Sequence, residues 1–103
     1  MSEEKHTTYI YVLNLTEERL RSPEGWTDAE REAVSVHFKH LTDLYEKGTV
    51  KYVGRTIDDR SSFGIVVFDA DSEDEARAIM ESDPAITRGV MTATLYPFKA
   101  VYT

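Results

Sequence analysis

The chain has 103 residues, 41% of them hydrophobic and 30% charged, which are ordinary values for one globular domain with a single core. Its formal charge of −7 argues against nucleic acid and anionic membrane surfaces as partners, because both require a basic face. The chain has no cysteine, which excludes disulfides, thiolate chemistry and cysteine zinc sites.

No internal repeat or linker divides the chain. The N-terminal sequence MSEEKHTT lacks the basic and apolar runs of a signal peptide, and no stretch reaches the roughly 18 apolar residues of a membrane span. We therefore expect a cytoplasmic protein with one domain over residues 1–103, in which residues 1–7 form a flexible tail.

The first half of the chain predicts a strand, a loop and a helix. Residues 8–15, TYIYVLNL, are β-branched and aromatic with apolar residues on both alternating faces, which is typical of a strand covered on both sides. Residues 16–26 are polar and contain proline and glycine, so they predict a loop. The helix should begin at Thr27, which forms a capping-box pattern with Glu30, and end before Gly48.

The second half predicts a strand at 50–56, a turn at 57–62, a strand at 63–70, a helix at 73–81 and a last strand at 90–102 that is interrupted or edged near Pro97. Ser72 and Glu75 form a second capping-box pattern. Pro84 disfavours helical backbone at Asp83 and so ends the second helix.

The order β-α-β-β-α-β predicts a ferredoxin-like α+β sandwich. Two helices can cover only one face of a four-stranded sheet, and the other face is apolar whichever alternating set of strand residues it carries. We therefore expect a homodimer that packs sheet to sheet. The alternative is that the 16–26 loop or the C-terminal tail covers this face.

Two histidines lie on the apolar side of the first helix. On a helical wheel, His37 and His40 fall within about 40° of Ala33, inside the apolar stripe. They could be core imidazoles bonded to backbone carbonyls, or they could line a cavity that holds water or a ligand. Asp83 could complete a metal set with them in principle, but there is no clear third ligand, and we predict no metal site.

Asp83 is the second candidate. It precedes Pro84, with Gly89 further on, which predicts an N-cap at the start of a short helical turn. A capping carboxylate has a second oxygen free to hold an imidazole, which would fix the tautomer of the ring. Arg55 and Arg88 are candidates for binding an anionic group, although solvated surface arginines are the simpler interpretation of each.

The stretches HFKHLTDLYEKGTVKYVGRT, FGIVVFDADSEDEARAIMESDPAITRGV and LYPF, in this order, resemble the YciI-like (YCII-related) family of the dimeric α+β-barrel group. The family pattern has a histidine, a leucine four residues on, a glycine eleven residues on, and later Asp-Pro and a glycine, which here are His37, Leu41, Gly48, Asp83-Pro84 and Gly89. His40 lies where the family is variable. Many relatives read Gly-Pro where this chain has Gly54-Arg55, so the pocket wall differs there and is more cationic.

The resemblance implies a sheet-to-sheet dimer with a pocket that holds a histidine–aspartate pair. One relative is a dehydrochlorinase of a chlorinated hydroxyhydroquinone, and the wider fold group includes muconolactone isomerases and monooxygenases without metal or flavin. Fold analogy transfers none of these activities by itself.

Two functions remain open from the sequence. In the first, the protein is an enzyme without a cofactor, in which His37 and Asp83 transfer a proton on a small anionic or aromatic molecule, with Arg55 and His40 as substrate-binding candidates. The reaction would be an elimination or an isomerisation. In the second, the protein is a non-catalytic binding or accessory module whose ligand is unknown.

Overall fold

The structure is a computed structural model that describes residues 7–17, 20, 22–58 and 61–102. The predicted N-terminal tail, residues 1–7, lies outside the described residues except for Thr7. The elements in chain order are β1 (Thr8–Leu15), a 3-10 turn (Pro23–Gly25), α1 (Asp28–Glu46), β2 (Val50–Arg55), β3 (Phe63–Asp69), α2 (Glu73–Glu81), α3 (Pro84–Thr87) and β4 (Met91–Pro97).

The four strands form one antiparallel sheet in the order β2-β3-β1-β4. This confirms the predicted ferredoxin-like α+β fold, with the short helix α3 added between α2 and β4. The register pairs Tyr11 of β1 with Val66 of β3 on one side and with Leu95 of β4 on the other. In this sheet β1 is central and β2 is an edge strand.

The first helix is capped as predicted. The Thr27 side chain accepts from the Glu30 amide while the Glu30 side chain accepts from the Thr27 amide. After α1 ends, Gly48 takes a φ of 88°, a left-handed conformation that glycine adopts without the Cβ penalty of other residues.

The second capping box forms only in half. Ser72 accepts from the Glu75 amide as predicted, but the Glu75 carboxylate accepts from the Asp71 amide, one residue earlier than the pattern requires. The helix still begins at the predicted residue, since one capping bond and an acidic first turn are present.

The last strand is shorter than predicted. Instead of spanning 90–102, β4 runs from Met91 to Pro97. Proline has no amide hydrogen to donate to the ladder and is tolerated here because β4 is an edge strand; one backbone bond to β1 follows it, from the Phe98 amide to the Thr8 carbonyl at 3.0 Å. Val101 and Tyr102 beyond it are largely exposed.

The helices cover one face of the sheet. Tyr9, Tyr11 and Leu13 of β1 point into this face and are buried with Val66 and Phe68 of β3. Because side chains alternate along a strand, the neighbouring residues of β1 and β3 point to the opposite face.

That opposite face carries Ile10 and Val12 of β1 beside Ile65 and Val67 of β3, so it is apolar. In the described part of the loop after β1, Leu20 packs in a cluster with Ala33 of α1, on the helical side. No helix in the described part of the chain is both long and apolar enough to cross a membrane.

Candidate active site

His37 and Asp83 are in direct contact at the centre of the helical layer. His37 Nδ1 lies 2.6 Å from Asp83 Oδ1, and the two residues are 46 positions apart in the chain. The His37 and Asp83 side chains are only 3% and 0% exposed. They meet because α1 packs against α3, whose first residue follows Asp83 directly.

The Asp83 carboxylate is held by three donors. Besides His37, the Ala85 amide donates to Oδ1 at 2.9 Å and the Tyr11 hydroxyl donates to Oδ2 at 2.7 Å. Burial alone raises the pKa of Asp83, but the hydrogen bond and charge of His37, with the Tyr11 and Ala85 bonds, outweigh burial and hold this pKa below its ordinary value of 3.8. Asp83 is therefore ionised at neutral pH.

The ionised carboxylate decides the tautomer of His37. A carboxylate can only accept hydrogen bonds, so the His37 nitrogen that contacts it, Nδ1, must carry a proton. In a neutral ring the lone pair is then on Nε2, the nitrogen turned away from Asp83. The pair is thus arranged as a base whose orientation is fixed by a carboxylate.

Tyr11 is a member of this group that the sequence did not predict. It is fully buried, and its hydroxyl reaches Asp83 from a position 72 residues earlier in the chain. Burial first, and then the charge and hydrogen bond of Asp83, raise the pKa of Tyr11 far above its ordinary value, so the hydroxyl keeps its proton. A tyrosine that points into an apolar core needs a partner for its hydroxyl, and that requirement was the available signal.

A cavity of about 290 Å³ lies beside His37, which we call the inner cavity. Its walls come from β1, α1, β2, β3 and the start of β4, and most of them are apolar. The lining residues are Leu13, Leu15, His37, Phe38, Val53, Gly54, Arg55, Ser62, Phe63, Gly64, Ile65 and Met91. The inner cavity is near the lower end of the size range of small-molecule sites, about 300–1,000 Å³.

Two glycines, Gly54 and Gly64, line this cavity. A Cβ on Gly64 would lie 3.3 Å from the Gly54 carbonyl oxygen and 3.9 Å from Leu13 Cδ1. The first distance is tighter than ordinary contact, so a side chain there would press on the backbone of β2. The family resemblance placed Gly54 with Arg55 in the pocket wall, whereas Gly64 was not predicted as part of a site.

The remaining predicted residues are placed differently. Arg55 lines the inner cavity, and within the described chain its side chain donates to the Thr56 carbonyl at 3.5 Å. Ser62, in the predicted turn, also lines the cavity. His40 does not line it and is half-buried one turn further along α1, with a buried Nε2 that lacks a partner among the described residues. Its part in substrate binding stays a prediction.

Among the described residues, no group of three or more histidine, cysteine, aspartate or glutamate side chains is placed to hold a metal ion. His37 and Asp83 already bind each other, and His40 does not complete a set with them.

The fold and the buried pair define a small α+β protein with a histidine–carboxylate site beside an apolar cavity. The model of the YCII-related domain matches residues 8–99, so the chain belongs to the YCII-related family. No curated protein matches the sequence significantly.

A solved structure with the same fold is a 5-chloro-2-hydroxyhydroquinone dehydrochlorinase from Burkholderia phenoliruptrix AC1100, in complex with 2,5-dihydroxybenzoquinone. The match has a TM-score of 0.66 at 18% identity and covers 89% of this chain and 93% of that chain. At this identity the similarity establishes the fold.

Proposed function

We propose that the protein is an acid–base enzyme that works without a cofactor on a small anionic or aromatic molecule bound in the inner cavity. The observation that carries the proposal is the buried 2.6 Å contact between His37 and Asp83 at the wall of that cavity. The two catalytic groups would be His37, which transfers the proton, and Asp83, which orients it and stabilises the imidazolium that forms.

Proton abstraction is the step that this geometry supports. His37 Nε2 would remove a proton from a carbon of the bound molecule, and the electron pair of that C–H bond would form a C=C double bond. In an elimination a leaving group departs with its electron pair. In an isomerisation His37 returns the proton to another atom of the same molecule. The dehydrochlorination named for the structural neighbour is a reaction of the first kind.

The charge of the site supports an anionic substrate. Among the residues that the structure describes, Arg55 is the only lysine or arginine that lines the inner cavity, and no acidic residue lines it. The chain as a whole carries a formal charge of −7, so the positive charge of Arg55 at the cavity is opposite in sign to the net charge of the protein. A guanidinium binds carboxylate and phenolate oxygens through paired N–H donors.

A sheet-to-sheet homodimer is also part of the proposal. The face that carries Ile10, Val12, Ile65 and Val67 is apolar, and the first three of these side chains are partly exposed in the single chain, whereas Val67 is buried. Contiguous apolar surface of this kind is typical of a protein interface. A second copy supplies an identical apolar face by two-fold symmetry.

The first test is exchange of carbon-bound protons with solvent, which reports proton abstraction without the full reaction. The wild-type protein would be incubated with 2,5-dihydroxybenzoquinone in D₂O, and loss of the ring C–H signal would be followed by proton NMR. We expect exchange above the buffer rate in the wild type and the buffer rate in His37→Gln. Lys39→Gln is the matched control, because Lys39 lies on the same helix, is exposed and does not line the cavity.

The same experiment separates the two candidate functions. Binding of 2,5-dihydroxybenzoquinone, seen by calorimetry and lost in His37→Gln, without exchange in the wild type would favour the non-catalytic binding module. Equal exchange in the wild type and in His37→Gln would contradict a catalytic role for His37.

A further inference from the structure

A second cleft continues from the inner cavity along α1 toward its N-terminal end. It measures about 470 Å³, and we call it the outer cleft. Phe38, Arg55 and Met91 line both spaces, so the two are contiguous. Trp26 and Val34 line the outer cleft but not the inner cavity.

We propose that the outer cleft is a substrate subsite and that the substrate is an amphiphilic acid with two apolar groups, one on each side of an anionic group held by Arg55. One apolar group would occupy the inner cavity next to His37, and the other would occupy the outer cleft against Trp26 and Val34. This inference rests on the proposed function, because it assigns the inner cavity to the reacting part of the molecule.

The position of Arg55 supports the placement of the anion. Arg55 lines both spaces, so this residue lies at their junction. Arg31, the other charged residue of the outer cleft, already forms a 3.0 Å salt bridge with Asp28. Within residues 7–17, 20, 22–58 and 61–102, no acidic side chain lines either space. An anion at the junction would therefore meet the positive charge of Arg55.

The walls of the outer cleft support the second apolar group. The Trp26 indole is fixed, since its Nε1–H donates to the Leu20 carbonyl at 2.6 Å. Leu20 and Trp26 belong to a hydrophobic cluster that is separate from the main core and is anchored on Ala33 of α1. A rigid aromatic wall beside open volume is the usual form of an apolar ligand subsite.

The size of the two spaces also supports a substrate that extends from the inner cavity into the outer cleft. The inner cavity alone is close to the minimum of known small-molecule sites, whereas the outer cleft adds a larger volume along the same helix. Contacts with a group remote from the reacting atoms can orient the reacting carbon against His37, which is how enzymes use binding energy for catalysis.

The test compares three probes by isothermal titration calorimetry: phenylacetate, with one ring; diphenylacetate, with two rings flanking the carboxylate; and diphenylmethanol, its neutral analogue. We expect the wild type to bind diphenylacetate at least ten-fold more tightly than phenylacetate, and diphenylmethanol at least ten-fold more weakly than diphenylacetate. Arg55→Gln should weaken both acids about ten-fold and leave diphenylmethanol unchanged.

The outer cleft is tested by Val34→Trp, which fills it from α1. The preference for diphenylacetate over phenylacetate should fall below about two-fold, while phenylacetate binding stays within two-fold of wild type. Ser35→Trp is the matched control, because Ser35 is exposed and lines neither space. Trp26→Ala, which removes the opposite wall, should also lower the preference and serves if Val34→Trp does not fold.

Equal affinity for the two acids, or an unchanged preference in both Val34→Trp and Trp26→Ala, would overturn the subsite and leave the proposed function intact. Tight binding of diphenylmethanol would overturn the anionic group at Arg55. The exchange experiment with 2,5-dihydroxybenzoquinone does not involve the second ring, so a failure of the proposed function would appear there and not in the ratio of the two acids.

Discussion

Replacing Tyr11 by phenylalanine should destabilise the protein through the loss of one hydroxyl group. The phenylalanine ring keeps the edge contact with Phe68, whose centroid lies 5.6 Å away at 68°. What is lost is the 2.7 Å bond to Asp83 Oδ2, the oxygen that neither His37 nor Ala85 contacts. A buried hydrogen bond to a charged group contributes about 1.5–3 kcal/mol, so we expect the free energy of unfolding to fall by about 2 kcal/mol. For a domain of this size the melting temperature should fall by roughly 10 °C.

Tyr9→Phe is the matched control for this measurement. Tyr9 lies on the same face of β1, is 5% exposed and packs on the same Phe68 ring, but its hydroxyl has no hydrogen-bond partner among the described residues. Urea denaturation at pH 7 should therefore give a cost below about 0.5 kcal/mol for Tyr9→Phe. Equal costs for the two variants would refute the argument that the Tyr11 hydroxyl stabilises the Asp83 carboxylate.

Three further outcomes are expected. Because the folded-state pKa of Asp83 lies below its ordinary value of 3.8, its ionisation stabilises the fold fully above about pH 5, and this stabilisation is lost as the pH falls through the folded-state pKa. The urea midpoint should therefore fall on acidification, and fall less steeply in Asp83→Asn; parallel curves for the two proteins would contradict the shift. Val12→Lys places a charge on the partly exposed apolar sheet face, and sedimentation equilibrium should show a dimer in the wild type and a monomer in the variant. A wild-type protein that sediments as a monomer at about 50 μM would contradict the proposed sheet-to-sheet dimer. His40→Leu removes a buried Nε2 that has no partner among the described residues, so unfolding should show unchanged or slightly higher stability. A loss above about 1 kcal/mol would mean that this nitrogen has a partner.

The His37–Asp83 pair could be predicted in part from the sequence, because helical periodicity and helix capping depend only on neighbouring residues. Helical periodicity turns His37 toward the core without reference to any other element. The Asp-Pro sequence places Asp83 at the start of a short helix, where its carboxylate accepts from the Ala85 amide. Their contact still required the packing of α1 on α3, and here the expectation came from the family resemblance.

The remaining members of the site could not be inferred in the same way. Strand alternation predicts that Tyr11 points to one face but not which carboxylate its hydroxyl meets, 72 residues later. The cavity walls come from several elements, so residues such as Met91 and Ser62 become neighbours only when the sheet and α1 are assembled. The sequence predicted an interruption or edge near Pro97, but that β4 ends there and pairs with β1 alone follows from the assembled order of the strands.

The sequence by itself determined the order and the approximate bounds of the strands and main helices, because capping, periodicity and turn residues act over a few neighbouring positions. It also turned His37 inward and placed Asp83 at a helix start. Only the tertiary structure decided that three donors converge on one carboxylate and that Arg55 and His37 share a cavity. These contacts join residues far apart in the chain, and their geometry is fixed by how the helices pack on the sheet rather than by any local preference.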